Sequence, residues 1–143
     1  MSRNKNVFLI HRKGCPLQRR VRAFLEDAGL RPILLPSKEH PEETVVERFE
    51  NYASNAYVIV LLTAAGKDRK LAPPGANLLF QLGYLAGRLG RRQVTSIYEE
   101  DLQLPAECNE VLCIPMDEIG IWKFALTRDL EVAGFEMDRQ LAV

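Results

Sequence analysis

Cysteine is scarce in this chain of 143 residues: Cys15, Cys108 and Cys113 are an odd number without C-x-x-C spacing. That argues for reduced thiols in a reducing compartment rather than a disulfide framework. Histidine is scarcer, with His11 and His40 alone, so a zinc set is not expected and no metal is assigned. Long apolar runs are missing. None approaches a bilayer span, and the polar opening Met1-Ser-Arg-Asn-Lys-Asn6, with an apolar run soon broken by His11 and Arg12, does not read as a signal peptide. A cytoplasmic protein with no membrane partner is expected. Net charge is missing too: Lys plus Arg and Asp plus Glu both total 19, which leaves no excess charge to hold nucleic acid or anionic lipid. The same balance gives little protection against self-association.

The common phosphate-binding signatures are also absent. The first strand-to-helix turn, Arg12-Lys13-Gly14-Cys15, has one glycine where a dinucleotide fingerprint needs three. Gly66-Lys67 is followed by Asp68 and lacks the upstream glycine of a P-loop. Cys15-Pro16 at a helix start, near Arg12, Lys13 and Arg19, is where a thiolate is stabilised. No second cysteine follows at three, however, and Val21 stands where a phosphatase loop requires arginine, so thiol chemistry is the weaker reading.

What is present is an alternation of strands and helices. Val7–Ile10, Pro32–Leu35, Tyr57–Thr63, Val94–Tyr98 and Val111–Ile114 read as strands, and Tyr57–Thr63, β-branched and apolar on both faces, as the central one. Leu17–Ala28, Thr44 to about Ser54, Ala76–Leu89 and Ile121–Ala133 read as helices, with Gly29 as a C-terminal cap. Residues 1–143 are therefore expected to form one α/β domain. It is a flavodoxin-like, five-stranded parallel sheet with helices on both faces. In such sheets ligands sit outside the carboxyl ends of the strands.

The helix Ala76–Leu89 is apolar around most of its circumference, which predicts burial. Asn77, Gln81 and Tyr84 project from one face of it at spacings of four and three. Two readings stay open for this trio: satisfied core polar groups, or the wall of a pocket. His11, Arg12 and Lys13, ending the first strand, are candidates to meet a diphosphate or form an ordinary solvated basic turn. Gly83 and Gly87 suggest close helix packing. Trp122 reads as core, with an assembly surface as the alternative.

In this order the pieces resemble the bacterial TIR-like predicted nucleotide-binding domains, including effectors of anti-phage systems. The resemblance rests on Val7–His11, Val21–Leu30 with Pro32–Leu35, Thr44–Glu50, Tyr57–Thr63, Asn77–Gly90, Tyr98–Pro105, Trp122-Lys123 and Ala133–Phe135. It implies a domain that binds NAD+ as substrate or ligand, with no separate cofactor. In active relatives such a domain hydrolyses the nicotinamide–ribose bond, often after assembly into oligomers or filaments. It also implies that Ser37, Lys38 and His40 lie in a loop bordering the pocket. The family's catalytic glutamate sits in a pattern like Asn-x-x-x-Glu-x-Gly-Tyr, which this chain matches at Asn77, Gly83 and Tyr84. At the glutamate position stands Gln81. Pro73-Pro-Gly-Ala76 and Glu42-Glu43 also depart from the family pattern. The expected function is a TIR-like NAD+ nucleosidase domain crippled at Gln81. The alternatives are a non-catalytic nucleotide-binding or oligomerising scaffold and a nucleoside deoxyribosyltransferase-like enzyme.

Overall fold

Six consecutive residues, Tyr57–Leu62, carry apolar side chains alternately to the two faces of a strand, and all six are buried. A strand of this kind can sit only inside a sheet covered on both sides. The computed structural model describes residues 5–12, 15–35, 44–50, 56–64, 76–106, 108 and 112–137. In chain order they form β1 (Asn6–Ile10), α1 (Gln18–Asp27), β2 (Arg31–Leu35), α2 (Val45–Phe49), β3 (Tyr57–Leu62), α3 (Ala76–Leu89), β4 (Val94–Glu99), β5 (Leu112–Met116) and α4 (Ile121–Val132). A single 3-10 turn, Arg91–Gln93, joins α3 to β4.

The sheet is wholly parallel, in the order β2-β1-β3-β4-β5. Alternation along the strands sorts the core into two layers. Val7, Leu9, Tyr57, Ile59 and Leu61 meet Val21, Phe24 and Leu25 of α1 and Trp122, Leu126 and Leu130 of α4. Phe8, Ile10, Val58, Val60 and Leu62 meet Phe49 of α2 and Leu78, Leu82, Leu85 and Leu89 of α3. The expected doubly wound arrangement is the one observed. Both edge strands carry a proline, Pro32 in β2 and Pro115 in β5, where a missing N–H is tolerated.

Local chemistry ends the helices where the sequence says it should. Gly29 follows α1 at φ 85° and Gly134 follows α4 at φ 102°, a backbone region that glycine enters without steric cost. In each case the next residue reaches back to close the helix, Leu30 N–H to Leu25 O at 2.9 Å and Phe135 N–H to Leu130 O at 3.0 Å. At the other end of α4, the Asp117 carboxylate accepts from the backbone of Gly120, Ile121 and Trp122, each at 2.9 Å, satisfying orphan donors of the first turn.

Three expectations change. The helix expected from Thr44 to about Ser54 is α2 over Val45–Phe49, and residues 51–55 lie outside the described residues. Although apolar in composition, α3 is one-sided: its leucines at 78, 82, 85 and 89 pack on the sheet while Phe80, Gly83 and Gly87 face outward. Only one flank of a helix can touch a sheet, and among the described residues no second layer covers the other. Close packing accordingly does not explain Gly83 and Gly87, because a Cβ at either would meet nothing within 4 Å. Trp122 is core, 1% exposed and edge-on to Phe24 at 5.4 Å.

Two outcomes follow. Gly83→Ala and Gly87→Ala should each stabilise the fold by about 0.5–1 kcal/mol through helix propensity alone, read as a raised urea midpoint. The second concerns the buried Tyr57 hydroxyl, which donates to the Asp129 carboxylate of α4. Burial first, and the adjacent Asp129 charge second, push the phenol above its ordinary value of 10.0. A raised folded value means stability that is full below pH 10 and falls as the pH climbs above it. Tyr57→Phe should flatten that alkaline fall while costing about 1–3 kcal/mol at neutral pH, because Asp129 loses its donor.

Candidate functional site

Ending β1 and β3 side by side puts their carboxyl-terminal loops at the point where the chain reverses its direction of winding, the usual ligand position in such sheets. Beside that point a cleft of about 530 Å³ opens over the carboxyl ends of β1 and β2, between α2 and α3. His11 and Arg12 enter it from the end of β1 and Leu35 from the end of β2. One helical wall is Thr44, Val45, Val46 and Arg48 at α2; the other is Asn77, Leu78, Phe80 and Gln81 of α3.

The cleft is held by bonds that cross between strands. The Arg12 guanidinium donates through Nη1 to the Ala64 carbonyl at 2.8 Å. From the other side the Glu99 carboxylate accepts the Ala64 N–H at 3.1 Å. Ala64, just past β3, is thus pinned from β1 and β4 together. His11 donates its backbone N–H to Leu35 O at 3.1 Å, which ties the ends of β1 and β2. Thr44 caps α2: its hydroxyl accepts from Glu47 N–H at 3.0 Å while the Glu47 carboxylate accepts from Thr44 N–H at 2.9 Å. Those bonds from the Thr44 backbone and hydroxyl hold the Glu47 carboxyl below its ordinary range.

Of the residues singled out in the sequence, His11, Arg12, Asn77 and Gln81 come together on the cleft wall. Tyr84 does not join them; it is half-buried and packs against the α2–α3 core layer. A position seven residues beyond Asn77 has travelled two turns along the axis, about 10 Å, so a shared helix face does not mean a shared cavity. Lys13, Ser37, Lys38 and His40 lie outside the described residues.

The chemistry of the cleft is cationic and amide-bearing. Arg12, Arg48 and His11 line it, and no carboxylate stands among the described lining residues. Gln81 Oε1 is buried and has no hydrogen-bond partner among the described residues, an acceptor whose desolvation is uncompensated. Of the open readings of the polar trio, the pocket wall therefore holds for Asn77 and Gln81, and core packing for Tyr84. Arg48 and Phe80 escaped the sequence reading. Arg48 lies with its guanidinium 5.9 Å from the centre of the Phe8 ring and sits among hydrophobic α2 positions that read as a plain amphipathic helix. Phe80 carried a usable signal, since it precedes Gln81 and follows Asn77 by three.

Comparison with known proteins identifies a family. A family model described as CAP12/Pycsar effector protein, TIR domain, matches residues 6–118, a stretch that includes all five strands and every lining residue. The chain is similar to the uncharacterized protein YuaY of Escherichia coli (strain K12), 30% identical over 147 residues, covering 98% of this chain and 49% of that protein. It is also similar to protein tirC of Dictyostelium discoideum, 31% identical over 137 residues, covering 87% of this chain and 66% of that protein. The chain thus spans less than two thirds of the length of either relative.

The pinned Ala64 can be tested directly. Glu99→Ala removes the acceptor of its N–H, and amide exchange at Ala64 should accelerate roughly fivefold, the effect of losing about 1 kcal/mol of local protection.

Proposed function

The chain belongs to the CAP12/Pycsar effector TIR domain family, and from that premise we propose that its cleft binds NAD+ or a closely related dinucleotide and cleaves it slowly or not at all. The observation that carries this reading is the buried carbonyl oxygen of Gln81, without a hydrogen-bond partner among the described residues, on the wall of a cleft lined by arginine. A ribose hydroxyl is the right donor for that oxygen, and a diphosphate is the right anion for Arg12 and Arg48. Asn77, one turn earlier on α3, adds a second amide to the sugar side.

Loss of nicotinamide leaves positive, oxocarbenium-like charge on the ribose, and a carboxylate at the sugar stabilises it or attacks it. The amide of Gln81 keeps nearly the same shape and can hold hydroxyls, but it brings no negative charge. The catalytic deficit relative to glutamate is at least about a hundredfold, the scale of one lost electrostatic stabiliser. The absence of a carboxylate among the described lining residues also favours a second reading, a nucleotide-binding or self-assembling scaffold without turnover. In either case the partner is a nucleotide and a further copy of the domain, and the compartment is the cytoplasm. Among the described residues no helix is long and apolar enough to cross a membrane.

Gln81→Glu separates these readings. Nicotinamide release by the glutamate variant should exceed that of the parent at least about a hundredfold, with dinucleotide affinity changed far less. A folded variant that binds dinucleotide and releases no nicotinamide favours the scaffold, and one that, like the parent, binds none overturns the dinucleotide reading and leaves self-assembly alone.

A further inference from the structure

Phe80 is 64% exposed, yet it lies in the middle of α3 and lines the cleft beside Gln81. An exposed phenylalanine adds nothing to the core, and the leucines of α3 at 78, 82, 85 and 89 already make the helix's contact with the sheet. Single exposed apolar residues are ordinary on protein surfaces; one on the rim of a polar cleft is in a position to meet a ligand.

Its neighbours define what that ligand part is. Gln81, the next residue, presents a buried acceptor suited to a sugar hydroxyl. Both residues line the same cleft from α3, so a ligand whose sugar meets Gln81 has the Phe80 ring on the same wall. The cationic groups Arg12 and Arg48 belong to β1 and α2, away from the α3 wall, so anion and base are drawn to different walls of the cleft. Resting on the dinucleotide reading above, we propose that the Phe80 ring is the stacking platform for the base carried by the ribose at Gln81, the base that leaves when the bond is cut. A flat pyridinium suits this face doubly, through ring stacking and through attraction of its positive charge to the phenyl π-face.

Phe80 then acts as a binding and specificity residue, setting the pose of the leaving base rather than taking part in bond breaking. The test compares NAD+ with ADP-ribose, which lacks that base, using calorimetric titration of the parent chain, Phe80→Ala and Phe80→Trp. Stacking of this kind is worth roughly five- to hundredfold in affinity. Phe80→Ala should weaken NAD+ by that factor and leave ADP-ribose within twofold, and Phe80→Trp should keep the NAD+ affinity. Because the ring is exposed, the thermal midpoint should stay that of the parent. An unchanged NAD+ affinity in Phe80→Ala overturns the assignment, as does an equal loss for both ligands, since either leaves the base without contact to residue 80. A parent chain that binds neither ligand overturns the dinucleotide reading itself, and the platform with it.

Discussion

Two-sided burial of β3 is the constraint on which the remaining structure depends. Because Tyr57–Leu62 have no face turned to water, helices must cover both sides, and the chain can supply them only by winding in opposite senses from the middle of the sheet. On the face that carries α2 and α3, a gap is left between those two helices over the carboxyl ends of β1 and β2. The cleft is therefore a by-product of how the core is closed. Its margin is then stiffened by Arg12 and Glu99, which take the C=O and the N–H of one residue, Ala64.

The layering was plain in the sequence because strand and helix periods differ and this chain keeps them cleanly separate. A run such as Val-Ile-Val-Leu-Leu states its own environment, and Gly29 followed by Leu30 states where a helix must stop. Strand limits differ from expectation by one or two residues at all five strands, where apolar character fades toward polar loops. The one-sidedness of α3 was concealed by composition: glycine, alanine and an exposed phenylalanine count as apolar whether or not anything covers them.

The cleft was half legible. Asn77 and Gln81 were found because a polar residue on a greasy helix demands an explanation, and His11 and Arg12 because they end a buried strand at the ligand-binding margin. Arg48 could not be found that way. Its importance comes from α2 lying across the cleft from α3, a relation set by tertiary packing and invisible to local periodicity. Tyr84 shares their helical phase but stands outside the described cleft lining, since helical phase places residues around an axis and says nothing about how far along it a cavity extends. The family pattern around Asn77 pointed to the α3 wall of the cleft, where Asn77 and Gln81 are found.

The prolines of the outer strands bear on how copies of this domain can come together. Pro32 and Pro115 each withhold a main-chain donor from an open margin, which interrupts the row of groups that another polypeptide would need for continuous strand-to-strand pairing. Lateral growth by sheet extension is thus obstructed at both ends. Helical flanks and connecting loops are left as the less hindered surfaces through which copies could meet.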